Sequence, residues 1–215
     1  MRPSAALCRV VLAVFAFVTL ASVPAAAQSP AGGRVPTIDD LLDLRTLAGS
    51  RISPDGRWVA YGAGETDWTQ DAFITQLWVA NVSSGERRQL TTHPKGAGNP
   101  QWSPDSKWMS FTSTREENRS QIYVIRPDGG EAQRVTKAES SVGGYAWSRD
   151  GRMIVFSASD PDSKEQKARV EKYGAFEQVR RDYVHSHLYT MDMAAALTAP
   201  QAGRKRTAGR DFSVF

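Results

Sequence analysis

The chain has a single cysteine in 215 residues. It is Cys8, inside the N-terminal leader, so the rest of the protein has none. Disulfides, thiol catalysis and cysteine-ligated zinc are thereby excluded. The sequence also lacks a Gly-x-Ser-x-Gly nucleophile elbow and a phosphate-cradling glycine loop. No apolar run reaches the ~20 residues that span a bilayer. No segment between the repeats described below has the 3.6-residue period of a crossover helix, which argues against a parallel α/β sheet. Histidine is scarce, at three residues: His93, His185 and His187. His185 and His187 stand at i and i+2 and would share one face of a strand. Two imidazoles can begin a metal site, but no other histidine or cysteine is close in sequence. A structural role is the expectation, with no metal and no cofactor.

The N-terminus is a secretory signal. Arg2 and Arg9 provide positive charge without an acid, and residues 10–23 form an apolar core. Pro24 breaks that core, and Ala25-Ala26-Ala27 supplies small residues for cleavage. Residues 1–27 are therefore expected to be removed, with 28–36 a linker and no stable membrane anchor afterwards. The mature protein is expected to be secreted or periplasmic. The formal net charge is +4, and loss of two arginines leaves +2. There is no basic stripe interleaved with aromatics, so nucleic acid is not an expected partner.

What the sequence does contain is a repeat. Ser53-Pro54-Asp55-Gly56-Arg57-Trp58, Ser103-Pro104-Asp105-Ser106-Lys107-Trp108 and Ser148-Arg149-Asp150-Gly151-Arg152-Met153 align, with serines 50 and then 45 residues apart. Each stretch is turn chemistry followed by the alternation of a half-buried strand. A second motif follows: Gln76-Leu77-Trp78-Val79-Ala80-Asn81, Gln121-Ile122-Tyr123-Val124-Ile125-Arg126 and His187-Leu188-Tyr189-Thr190-Met191-Asp192. In the first two copies it runs into a glycine turn and a polar strand ending at Thr91 or Thr136. Periods of this length mark repeat architectures, and each unit has the strands of one propeller blade. The expected fold is all-β: a partial β-propeller of three to four blades over 37–215, with repeats at 37–92, 93–137 and 138–209 and the start of another. Trp58, Trp102, Trp108 and Trp147 recur in the repeats, and Trp78 matches Tyr123 and Tyr189. All five are expected in the packing between blades, which leaves Trp68 in a loop outside that logic. Because a closed propeller takes about 4–8 blades, residues 28–215 alone are expected to leave an apolar sheet face and a strand edge uncovered.

Two segments depart from the repeat. Thr37 to Leu44 reads as a short N-terminal helix capped by Thr37, with Ile38, Leu41, Leu42 and Leu44 forming an apolar side that docks on the propeller rim. The third repeat is stretched: 66 residues separate Ile122 from Leu188, against 45 from Leu77 to Ile122. The surplus falls in 160–185 as a helical or irregular insertion. Insertions of this kind lie on one face, often the binding face, so Arg180, Arg181 and Tyr183 are the candidate contacts to a substrate or a second domain. Asn81-Val82-Ser83 and Asn118-Arg119-Ser120 are formal glycosylation sequons.

The Trp-Ser-Pro-Asp units, each followed by an apolar-aromatic strand, resemble the propeller repeats of two exported families. One is the prolyl-oligopeptidase family of serine peptidases, including the dipeptidyl-peptidase and acylaminoacyl-peptidase types. The other is the periplasmic propeller protein of the Tol system. The run from Asp39 through Arg45 into Arg51-Ile52-Ser53-Pro54-Asp55-Gly56 is similar to the peptidases' entry into their first blade. The charged insertion ending in Arg181-Asp182-Tyr183-Val184-His185-Ser186-His187 also looks like theirs. This resemblance implies a propeller that gates peptide access and docks an α/β-hydrolase domain. The catalytic residues would lie in that later domain, so no catalytic residue is assigned to this chain. Glu116-Glu117 does not convincingly match the glutamate pair that holds a substrate amino terminus in the dipeptidyl type. The alternative is a Tol-type propeller that binds protein partners without catalysis.

Overall fold

A computed structural model describes residues 35–174 and 185–209. Residues 1–34, 175–184 and 210–215 lie outside them. By its contacts the chain divides into residues 1–38 and residues 39–215, and the second unit holds the repeats. Its described residues form three four-stranded antiparallel sheets, one for each sequence repeat. The first is β1 (Thr46–Ile52), β2 (Trp58–Asp67), β3 (Ala72–Asn81) and β4 (Arg87–Gln89). The second is β5 (Gly98–Trp102), β6 (Met109–Ser113), β7 (Gln121–Ile125) and β8 (Gln133–Arg134). The third is β9 (Val142–Trp147), β10 (Met153–Ser159), β11 (Ser186–Asp192) and β12 (Arg204–Lys205). Each sheet is a simple meander, as in a propeller blade, so the expected all-β fold is present.

The repeated turn explains why each blade begins the same way. Ser53 Oγ donates to Asp55 Oδ1 at 2.6 Å and accepts from the Trp58 N–H at 3.0 Å. Ser103 makes the same pair with Asp105 and Trp108, at 2.6 and 2.9 Å. Ser148 does so with Asp150 and Met153, also at 2.6 and 2.9 Å. The aspartate then accepts from the backbone two residues on, so the first two strands of each blade are joined by one closed hydrogen-bonded ring. The turn ends on a left-handed residue: Gly56, Ser106 or Gly151, at φ of 71, 59 and 69°. Glycine takes that conformation freely, whereas Ser106 bears its steric cost.

Two cores lie between the blades. Leu77, Val79, Met109, Phe111, Tyr123 and Ile125 belong to the first. Ile122, Val124, Val142, Ile154, Phe156 and Met191 belong to the second. Alternate residues of β7 thus serve opposite cores, and all five are buried. The corresponding β3 and β11 set half-buried or exposed residues between their buried ones, because only one face of each outer blade meets a neighbour. The first strand, β1, is exposed along its whole length, with Leu47 76% and Ile52 69% accessible. Trp58 and Trp102 pack in the first core and Trp108 and Trp147 on the second, whereas Trp78, expected with them, belongs to neither because it alternates with the core residues Leu77 and Val79. Trp102 Nε1 donates to the Arg51 carbonyl at 3.0 Å, and Trp147 Nε1 donates to Ser110 Oγ at 2.8 Å. Trp68 is exposed, and its Nε1 donates to Asp43 Oδ1 at 2.8 Å.

Among the described residues three helices accompany the sheets. The expected N-terminal helix, α1 (Ile38–Leu42), forms, but Ile38, Leu41 and Leu44 are exposed rather than docked. Its C-terminal end is instead held by polar contacts, from Thr66 Oγ1 to the Leu42 carbonyl and from Trp68 to Asp43. The insertion in the third repeat opens with α2 (Lys164–Tyr173), whose Ser163 and Gln166 form a reciprocal capping box. The third, α3 (Met193–Thr198), is unforeseen: it replaces the glycine turn that joins the last two strands of the other blades. Asp192 caps it by accepting from the Ala195 N–H at 2.9 Å, and its three consecutive alanines are strong helix formers. Met193 and Ala196 anchor it in the second core. Among the described residues no helix is long and apolar enough to cross a membrane.

Candidate functional site

Antiparallel meanders put the β2–β3, β6–β7 and β10–β11 connections, together with the links between blades, at the same end of the array. This end carries the insertion and most of the unusual side chains. A groove of 380 Å³ opens there between the first two blades, lined by Phe73, Ile74, Lys95, Thr112, Thr114 and Ser120 among others. Its floor is tightly built. A Cβ on Gly96, whose φ is +64°, would stand 2.8 Å from the Thr75 carbonyl oxygen, so only glycine fits. The Gly96 carbonyl accepts from Ser113 Oγ at 2.7 Å.

Beside the groove Arg115 lies over two aromatic rings, 5.2 Å from the Phe111 centroid and 4.6 Å from that of Tyr123. Its Nε donates to Ser113 Oγ at 3.3 Å, while one buried terminal nitrogen finds no acceptor among the described residues. Burial lowers the Arg115 pKa, although Tyr123 and Glu116 act in the opposite sense. Glu116 accepts from the Tyr123 hydroxyl at 3.3 Å and from Arg134 at 2.5 Å. Burial, aided by the Glu116 charge, pushes the Tyr123 hydroxyl up to about 12. His93 is held below its ordinary value by burial and by the charges of Arg115 and Lys95. These groups suit binding of a polar or carboxylate-bearing chain, since neither a nucleophile nor a base is set up among them.

His187 sits in a second cluster that looks catalytic at first sight. Its Nε2 is 3.2 Å from Asp160 Oδ2 and its Nδ1 is 3.2 Å from Thr207 Oγ1. The other blades give its meaning. In blade 1 the Thr91 hydroxyl donates to Gln76 Oε1 at 2.8 Å and accepts from the Leu77 N–H at 2.9 Å. In blade 2 Thr136 makes the same bonds with Gln121 and Ile122, both at 2.8 Å. Thr207 likewise accepts from the Leu188 N–H at 3.0 Å. His187 is therefore the third copy of a Gln–Thr clasp, with Nδ1 as the acceptor and Nε2–H donating to Asp160. Both its nitrogens are occupied and the side chain is 1% exposed, so it serves the fold rather than a metal. Burial works to raise the Asp160 carboxyl, yet Lys205 at 2.6 Å and His187 hold it below its ordinary value. Among the described residues no three histidine, cysteine or acidic side chains gather as a metal site.

The sequence-derived candidates Arg180, Arg181 and Tyr183 fall in 175–184, outside the described residues. Arg115, Arg134 and Asp160 were missed. A signal for the clasp was present, since Gln76 and Thr91 stand 15 residues apart, as do Gln121 and Thr136. In the third repeat the interval is 20, because α3 is inserted.

The repeated turn, the four-stranded meanders and the seam tryptophans find their match in a family model. The TolB β-propeller domain model covers residues 45–180. The chain belongs to this family. Of curated proteins, a Bacillus subtilis protein described as the uncharacterized peptidase YuxL is 28% identical over 85 residues. That match covers 40% of this chain and 13% of the relative. Of solved structures, Pyrococcus horikoshii acylaminoacyl peptidase superposes with a TM-score of 0.56 at 18% identity, over 71% of this chain and 24% of its own. The β-propeller domain of the trilobed protease from Pyrococcus furiosus superposes with a TM-score of 0.50 at 18% identity, over 71% and 41% of the two chains. At such identities these structures share the fold. The chain thus spans a small part of the relatives it matches.

Proposed function

We propose that this chain is the propeller portion of an exported serine peptidase resembling the prolyl-oligopeptidase family. In this reading it gates peptide access and docks an α/β-hydrolase domain that the chain itself does not contain. The observation that carries the reading is the three-blade array with uncovered outer faces, in a chain similar to 13% of a protein described as a peptidase. The uncovered β1 and the half-buried outer strands suit further blades on either side. Arg180, Arg181 and Tyr183 are proposed to contact substrate or the catalytic domain, because their insertion leaves the same end of the array as the Arg115 groove.

A second reading has support in the family match itself, whose model is named for TolB: a propeller that recruits protein partners in the periplasm without catalysis. The reading frame beyond Phe215 separates the two. Continuation through more repeats into a Gly-x-Ser-x-Gly segment supports the peptidase, and a stop after a few repeats supports the binding module. At the bench, the purified chain is expected to cleave no peptide anilide and to take no label from a serine-directed fluorophosphonate. Labelled, stoichiometric turnover by this chain alone would overturn both readings. Export is tested by fusing residues 1–36 to a reporter that is active only after translocation.

A further inference from the structure

The two seams between blades are built alike but closed differently. In the first, Ser106 Oγ of blade 2 accepts from the Asp55 N–H of blade 1 at 3.1 Å, bridging the two repeated turns. The residue at the same turn position in blade 3 is Gly151, which has no side chain to span the second seam. A Cβ there would meet only Pro104, at 3.5 Å. A cleft of 360 Å³ opens at this place.

The lining of the cleft has a definite chemical character. Trp108 and Trp147 contribute indoles, Met193 and Leu197 of α3 an apolar wall, and Asp105 and Asp192 carboxylates. Asp192 stands where the aligned repeats place Asn81 and Arg126, so the third blade has put a negative charge where the second has a positive one. One of its oxygens caps α3. Asp105 is shared with Ser103 and with Lys107, whose Nζ is 3.5 Å away. The cation among the lining residues, Arg152, has its side chain 84% exposed and its guanidinium 4.0 Å from Asp150. The Trp147 ring is fixed by its bond to Ser110. Trp108 already carries the Arg126 guanidinium over its ring at 5.4 Å, so an indole of this cleft receives a cation within the protein itself.

We propose that the cleft binds the side chain of a lysine or arginine in an extended peptide. Such a side chain pairs an apolar stem with a charged head. The stem lies along the indoles and the Met193–Leu197 wall, and the head meets Asp192 and the Trp147 face. A purely apolar side chain would bring no charge to meet Asp192, and an acidic one would be repelled by it.

The test uses the full chain at low salt and a blocked Ala-Lys-Ala peptide, read by calorimetry and tryptophan fluorescence. Saturable binding is expected, with the norleucine analogue about tenfold weaker because it keeps the stem and loses the charge. Asp192→Asn retains a capping oxygen and should weaken the lysine peptide about fivefold. Gly151→Ser copies the chain's own Ser106 at a closely similar φ. It should bridge the seam and narrow the cleft while preserving the circular dichroism spectrum, and weaken binding at least about tenfold. Equal affinity for lysine and norleucine peptides overturns the proposal, as does absence of saturation up to about 10 mM, beyond which the affinity would be under ~3 kcal/mol. The peptide comparison is made on the unmodified protein, so it decides the matter even if a variant folds poorly.

Discussion

Replacing Gln121 by leucine removes a buried hydrogen-bonding hub at almost constant volume. Gln121 is fully buried. Its Oε1 accepts from the Thr136 hydroxyl at 2.8 Å and from the Ala138 N–H at 3.0 Å, and its Nε2 donates to the Ala138 carbonyl at 3.1 Å. Leucine leaves all three groups without that partner, and Thr136 and Ala138 are themselves buried. An orphaned buried polar group costs about 1–3 kcal/mol. Some relaxation is available to the Thr136 hydroxyl, so the sum is set at about 3–4 kcal/mol. The readout is native-state hydrogen exchange at the Val135 amide, which donates to the Ile122 carbonyl at 2.9 Å beside the clasp. Exchange needs no cooperative melt of the whole array, only local opening. Where closing outruns exchange, protection should fall about a hundred- to a thousandfold. Gln76→Leu in blade 1 should cost less, since Gln76 makes two such bonds, to Thr91 and to the His93 carbonyl. A loss of protection below about tenfold for Gln121→Leu would refute the view that the clasp holds the blade's last two strands together.

The repeated turns make acid sensitivity directional. The Ser53 hydroxyl and the Arg57 side chain hold the Asp55 carboxyl down to about 2 from an ordinary 3.8. Asp150 is lowered chiefly by Ser148, and Asp105 by Ser103 and Lys107 against the opposing effect of burial. A carboxyl depressed by folding stabilises above its unfolded value, and that contribution is lost as pH falls through its folded value. Urea stability should therefore decline from pH 3.8 towards about 2, and Asp55→Asn should flatten the decline. A stability curve level across that window contradicts the assignment. His187→Gln restores the residue used by the other two blades and should stay within about 1 kcal/mol of the parent, whereas His187→Leu, which leaves the Thr207 hydroxyl without its acceptor while Lys205 still holds Asp160, should cost about 2–3 kcal/mol in urea unfolding. Equal costs for the two changes would deny that His187 is a clasp member.

The repeat made the fold legible because its signals are local. Ser-x-Asp turns, period-two strands and recurrent tryptophans each have a physical cause within a few residues, and all recur in register. The seams were legible for the same reason: the tryptophans before Ser103 and Ser148 implied packing between blades. The missed features depend on distant or substituted partners. Met193–Thr198 did carry a local signal, a capping aspartate and three alanines, but six residues are too short to declare a helix until Met193 and Ala196 are seen to be buried. Arg115 became notable only once β6 and β7 placed Phe111 and Tyr123 beneath its guanidinium. Likewise, the apolar residues of Thr37–Leu44 suggested docking by their spacing. Spacing specifies a face, but it does not say what covers that face, and among the described residues Ile38, Leu41 and Leu44 remain open.

Set against the two preceding blades, the third departs furthest from the repeating scaffold. It keeps what the blade needs: the Ser148–Asp150 turn, the seam tryptophan and the threonine of the clasp. It changes what the blade can spare. Glycine replaces the serine that bridges the first seam, and a cleft opens. An aspartate replaces Arg126, and the local charge is reversed. A helix replaces a tight turn, and the cleft gains an apolar wall. Histidine replaces glutamine in the clasp, and its free N–H engages Asp160, the residue from which the insertion departs. Asp160 is in turn fixed by Lys205 of the last strand and by its own N–H to the His185 carbonyl at 2.8 Å. The two ends of the insertion are thus tied to one rigid sheet, which allows the loop to vary without loosening the blade. Because the changes fall at both ends of the third blade, the groove-side insertion and the seam cleft can be disabled separately. Gly151→Ser should leave the insertion end untouched, and shortening of the insertion should leave the cleft's lysine affinity unchanged.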